Sequence, residues 1–137
     1  MPLKLSRKEA LKANCLSDRK AKRPSGERKA AQECKQRLFL ASCHAHGLPE
    51  PIPEARWSLE RKWLFDYCWA PEKVAVEIVG GVWIGGHHSR GQSQIDDMHR
   101  RNTAQLIGYI VLEFTPDQVY RTGEAFPIIK RALEARK

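Results

Sequence analysis

No stretch of this 137-residue chain approaches the apolar length of a membrane span, so a membrane-spanning helix is not expected. The opening MPLKLSRKEALK is charged throughout and has no apolar run. No secretory signal is therefore expected there, and a cytoplasmic protein is. The four cysteines (Cys15, Cys34, Cys43 and Cys68) form no CxxC pair. Cys43-His44-Ala45-His46 holds metal-ligating side chains, but the four-ligand spacing of a zinc site is missing. Buried, reduced thiols packing as small hydrophobes are the expectation. Nothing repeats, and the length suits one domain with a single core.

What is present is positive charge, unevenly placed. The net charge is +8 and the pI about 9.6. Residues 1–24 hold Lys4, Arg7, Lys8, Lys12, Arg19, Lys20, Lys22 and Arg23 against Glu9 and Asp18, a surplus of +6 that leaves +2 for residues 25–137. A basic arm on a nearly neutral domain suits a phosphate backbone bound without regard to sequence. The arm lacks the aromatic anchors that an anionic membrane surface would engage. Removing residues 1–24 should therefore weaken binding alike for all DNA sequences and flatten its salt dependence. Titrations of full-length and shortened chains at two salt concentrations check this, and equal affinities at low salt would reduce the arm to a tail.

The most informative stretch is LFDYCWAPEKVAVEIVGG, which reads as a hairpin with strands near 63–69 and 74–79. A two- or four-residue loop centred on Pro71-Glu72 sets Asp66 opposite Glu77. Opposed residues share a face, with Cβ atoms roughly 4.5–5.5 Å apart. Two carboxylates so placed among apolar residues repel each other and resist burial, a cost that a divalent cation would remove. A three-residue loop would break the pairing. The spacing puts Trp63, Phe65, Tyr67 and Trp69 on one face of the first strand, and Leu64, Asp66 and Cys68 on the other. Strands apolar on both faces are covered on both sides, which argues against a solvated edge hairpin.

Around the hairpin, Arg28–His46 reads as a helix with Ser25 as N-cap and Gly47 as its stop. Residues 48–53 (LPEPIP) read as a stiff connector, followed by a short strand near 55–59. Five of the nine glycines fall between Gly80 and Gly91. A helix is expected over about 94–107, a buried strand over 109–114, an N-cap and N1 proline at Thr115-Pro116, and a last helix over about 123–136. The strand–helix–strand crossover from 77 to 112 implies a parallel pair in a mixed sheet. The outcome is a three-layer α/β domain over 25–137, with Glu77 near the end of a central strand.

A hairpin with a carboxylate on each strand, a helix before it and a helix and strand after it, resembles the PD-(D/E)XK nuclease superfamily. The similarity is to the small phage and prophage branch related to very-short-patch repair endonucleases. It covers roughly residues 33–133 and rests on HGLPEP at 46–51, KWLFDYCWAPEKVAVEIVGGVW at 62–83, GGHHSRG at 85–91, DMHRRNTAQLIGYIVLEFTPDQV at 97–119 and GEA at 123–125. The resemblance implies a restriction endonuclease-like core, a mixed β-sheet flanked by helices, in a bacterial or phage-infected cell. It implies a metal-dependent DNA endonuclease in which Asp66, Glu77 and the carbonyl of Ile78 bind Mg²⁺ or Mn²⁺. His88 matches a histidine of the Gly-rich loop that contacts phosphate or shuttles a proton. Asp97 and Arg100 match polar helix positions facing the site, with Arg100 standing where relatives have Lys.

Two positions depart from the pattern. Val79 stands at the third motif position, usually Lys and acidic in this branch, and Gln36 stands where relatives carry a helix carboxylate. A non-catalytic nucleic-acid-binding protein and a dimeric Holliday-junction or branched-DNA resolvase are therefore the alternatives, the second making a homodimer a candidate assembly. A His-Asn-His nuclease fits poorly, because His87 and His88 lie in a glycine loop before a helix rather than on a strand. Trp83, Arg90 and Arg101 are candidate substrate contacts. Trp57, Trp63 and Trp69 have the strand spacing of core residues.

Overall fold

The structure, a computed structural model, describes residues 25–80 and 91–137; the basic arm lies outside them. Helix α1 runs Ser25–Ala45, so Ser25 opens the helix itself instead of capping it from outside. Gly47 stops it as expected. Its φ of 69° is the left-handed conformation that glycine adopts without a Cβ clash, and the next N–H, of Leu48, returns to the Cys43 carbonyl at 2.9 Å. Four strands follow: β1 (Ile52–Arg56), β2 (Leu64–Trp69), β3 (Val74–Ile78) and, after helix α2 (Gly91–Leu106), β4 (Ile110–Phe114). Two helices close the chain, the short α3 (Pro116–Tyr120) and α4 (Ala125–Ala135). Thr115 caps α3 in a reciprocal capping box with Gln118, and Pro116 opens it.

The sheet has the order β1-β2-β3-β4. β1 with β2 and β2 with β3 are antiparallel, and the crossover through α2 makes β3 and β4 parallel. This is a mixed sheet flanked by helices. β1 begins earlier than the sequence suggests and includes Pro53, which the expected connector kept out of the sheet. An edge strand has one side without ladder partners, so proline's missing N–H costs nothing there.

Each face of the sheet has its own core. On one, Tyr67, Trp69, Val74 and Val76 pack with Phe39 and Cys43 of α1, Val119 of α3 and Phe126 and Ile129 of α4. Phe39 stacks on Tyr67 with 3.7 Å between centroids, and the buried indole of Trp69 donates to the Pro49 carbonyl at 2.8 Å. On the other face Ala55, Phe65, Cys68 and Ala75 pack with Ala104 of α2. Phe65 thus lies opposite Tyr67 and Trp69, not beside them, so the strict alternation expected of β2 fails between Phe65 and Tyr67. A second correction concerns the thiols. Cys43 and Cys68 are buried and free, with burial pushing the Cys43 thiol up to about 12, but Cys34 is disulfide-bonded. Among the described residues no helix is long and apolar enough to cross a membrane.

Candidate active site at the open end of the hairpin

The register at the turn is the one the sequence implies. Trp69 pairs with Val74, Cys68 with Ala75 and Tyr67 with Val76, and one further step brings Asp66 abreast of Glu77. There the regular ladder ends. Asp66 turns its Oδ2 to the backbone N–H of Ile78, which donates at 2.7 Å, while Glu77 turns toward α2 and accepts from Arg100 Nη1 at 2.6 Å. The two carboxylates therefore do not share one face, contrary to the expectation from alternation. The cause is local. Glu54, which the β1–β2 register sets opposite Asp66, has a φ of 49°, a left-handed conformation strained for a non-glycine residue. The irregularity falls where β2 changes the side to which its residues point.

Asp66 borders a cavity of about 240 Å³, with Gln32 and Lys35 from α1, Tyr67, Ile78, Gly80, and Pro116 and Tyr120 from α3. Tyr67 and Tyr120 interact through their hydroxyls, and burial raises both phenols, Tyr120 to about 12. Glu77 is 8 % exposed, the one charged residue buried among those described. Burial raises its carboxyl to about 7; Arg100 pulls it down, and Asp66 and Glu113 push it up. Glu113 stands beside it in the parallel register of β3 and β4 and accepts from Arg101 at 2.8 Å. Consecutive arginines of α2 thus serve carboxylates on adjacent strands. Arg100 also donates to the Leu64 carbonyl at 3.3 Å and lies 3.5 Å from Asp97.

Asp66, Glu77, Ile78, Arg100 and Asp97 are thus gathered at one end of the sheet, with differences in role. Ile78 meets Asp66 through its N–H. Asp97 reaches the site only through Arg100, and Arg101 is engaged by Glu113. Gln36 is half-buried on α1, but Gln32 and Lys35 are the α1 residues that border the cavity. Val79 is 40 % exposed and its N–H donates to Phe114 at 2.7 Å, so its side chain contributes no polar group. His88, Trp83 and Arg90 lie outside the described residues. Sequence reasoning missed Lys35, Gln32, Tyr120 and Glu113. The only signal for the last was an acidic residue inside the apolar run YIVLEF.

The raised Glu77 carboxyl has a consequence for stability. Its folded value stands at about 7 against an ordinary 4.5, so the folded protein keeps a proton that the unfolded chain has released between those values. This group's contribution to stability therefore falls as pH rises from about 4.5 to 7 and stays low above. Glu77→Gln should be more stable than the native protein near pH 8 by about 1–3 kcal/mol, and not near pH 4.5. Urea denaturation at the two pH values measures it. A variant less stable near pH 8 would show that the bond to Arg100 outweighs the cost of burial.

Among the described residues no three His, Cys, Asp or Glu side chains converge as a metal cage. A hydrated Mg²⁺ or Mn²⁺ asks less, since it keeps several of its waters and is held through one or two carboxylates. Asp66 borders the cavity and is the carboxylate placed for an ion of that kind, whereas Glu77 is turned toward Arg100. No protein-family model, curated protein or solved structure matches the chain.

Proposed function

We propose that the protein is a metal-dependent DNA endonuclease on a three-layer, restriction endonuclease-like core. The observation that carries this reading is the meeting of Asp66 and Glu77 at the open end of the hairpin, where Glu77 is buried at a cost and held by Arg100. A buried carboxylate with a specific charge partner, one strand away from a carboxylate that borders a cavity, is a candidate functional group. Asp66 and Glu77 would hold Mg²⁺ or Mn²⁺, which when bound lowers the pKa of a water and neutralises charge on the scissile phosphate. The chain's own residues do the rest. Gln32 borders the same cavity as Asp66 and carries N–H donors for phosphate oxygens, and Lys35 adds positive charge there. Arg100 keeps a fixed positive charge beside Glu77, where a phosphate in transition gathers negative charge.

Nicking of supercoiled DNA in Mg²⁺ or Mn²⁺, abolished by EDTA, is the expected result. A chain inactive with both ions on linear, nicked and branched DNA overturns the reading. The alternative is a nucleic-acid-binding protein without cleavage. The Arg100–Glu77 bond favours it, because that bond already supplies the counter-charge a metal would bring, and so does valine at position 79. Tight DNA binding with no cleavage under any of these conditions would select it.

A further inference from the structure

Trp57 and Trp63 bracket the connection between β1 and β2, and their rings stack with 5.4 Å between centroids and 25° between planes. Phe65 stacks on Trp57 at 5.0 Å, and the Arg61 guanidinium lies 5.0 Å from the centroid of Trp63. The four side chains form a ladder that runs from a buried phenyl ring out to an exposed planar cation. The loop holds its own shape. Its Arg61 N–H donates to Ser58 Oγ at 3.2 Å, Arg56 Nε donates to the Ser58 carbonyl at 3.2 Å, and the Trp57 N–H reaches the Trp63 carbonyl at 3.4 Å.

Two features of this loop do nothing for the core. Leu59 at its tip is 98 % exposed, and Arg56, Arg61 and Lys62 are exposed around it against a single loop carboxylate, Glu60. The ladder is also continuous with the candidate active site. Trp63 meets the His99 ring edge-on at 5.6 Å, and the next residue, Arg100, bonds both the Leu64 carbonyl and Glu77. A stacked ladder ending in a planar cation, an apolar tip and a cationic rim match the chemistry of a nucleobase and its flanking phosphates. Aromatic faces stack bases of any sequence, and an exposed leucine is a side chain that wedges between base steps.

We propose that this loop binds unpaired or unstacked nucleobases, with a base taking the rung of Arg61 on Trp63 and Arg56, Arg61 and Lys62 holding the adjoining phosphates. The inference rests on the nuclease reading for the identity of the polymer and deepens it, naming DNA with unpaired bases as the preferred substrate class. Binding of labelled oligothymidylate, a duplex with an internal bubble and a fully paired duplex to the full chain is measured in EDTA, where no cleavage intervenes. Trp63→Ala should weaken the first two by about ten-fold or more while leaving the paired duplex within about two-fold, and Trp63→Phe should retain most of the affinity. Leu59→Ala, at a side chain too exposed to disturb the fold, should weaken the bubble duplex selectively.

Equal losses on all three DNAs, or none, overturn the proposal. Should Trp63→Ala fail to fold, Leu59→Ala and Trp63→Phe decide it by the same comparison. The two readings fail separately. A chain that binds bubbles through Trp63 and never cleaves sinks the nuclease and leaves the loop. A chain that cleaves while Trp63→Ala and Leu59→Ala bind like the native protein sinks the loop and leaves the nuclease.

Discussion

Arg100→Ala should destabilise the protein more near pH 8 than near pH 5, by roughly 1 kcal/mol, because it removes the counter-charge of a buried carboxylate. The geometry sets the size. Arg100 Nη1 lies 2.6 Å from Glu77 Oε1, with side chains 21 % and 11 % exposed, so water screens the pair only in part. The pH-dependent part of the loss is bounded by titration, because one pH unit above the native value of about 7 is worth about 1.4 kcal/mol. The pH dependence follows from the sign of the Glu77 shift. Arg100 draws its carboxyl down toward the present value of about 7, and without the guanidinium it stands higher still. Below that range Glu77 is neutral with or without Arg100, and the variant loses little. Above it the native protein ionises a paired group, whereas the variant keeps its proton to a higher pH. Denaturation midpoints for both chains across this range are the measurement. A loss of equal size at both ends would assign Arg100 a packing role through the Leu64 carbonyl instead.

Asp66→Asn should abolish cleavage, by about a thousand-fold or more, with the fold intact. Asparagine keeps a side-chain oxygen able to accept from the Ile78 N–H as Oδ2 does, so the local geometry survives. The negative charge facing the cavity does not. The position is half-buried and the amide is of nearly the same size, so the melting temperature should hardly move. Single-turnover cleavage in Mg²⁺ and Mn²⁺ reads the first expectation and thermal denaturation the second. Cleavage at the native rate would remove Asp66 from the site. Unfolding would show that its charge serves the backbone of β3.

The fold was legible in the sequence wherever local chemistry dictates it. The apolar runs, Gly47 and the Thr115-Pro116 cap each act within a few residues, and the elements fall close to where they were read. The hairpin register followed from loop length alone. The site was legible by half. Glu77 and Arg100 are joined by a hydrogen bond, but period-two alternation cannot foresee the irregularity opposite Glu54 that sends Asp66 and Glu77 different ways. Lys35 gave no signal in the sequence, and Glu113 only that of an acidic residue in an apolar run. Which α1 residues reach the cavity depends on how Phe39 and Cys43 seat that helix on the sheet, and the place of Glu113 beside Glu77 depends on the parallel register. Both are products of tertiary packing.

The order of the strands also ranks the cost of assembling them. Tyr67 and Val76, paired in the antiparallel hairpin, are nine positions apart in the chain, whereas Glu77 and Glu113, paired in the parallel ladder, are thirty-six. Closing the longer loop costs only about 1 kcal/mol more in chain entropy, but it comes with the docking of a helix whose first turns are exposed. The meander β1-β2-β3 closes through short loops, and the bond between Asp66 and Ile78 lies wholly within it. Glu77 gains its arginine only when α2 lies down across the sheet. A chain whose crossover has come loose thus retains three strands and Asp66 in place, but has lost the cation beside Glu77. The pairing of Glu77 thus depends on a contact between segments far apart in the chain, while that of Asp66 is settled within one hairpin.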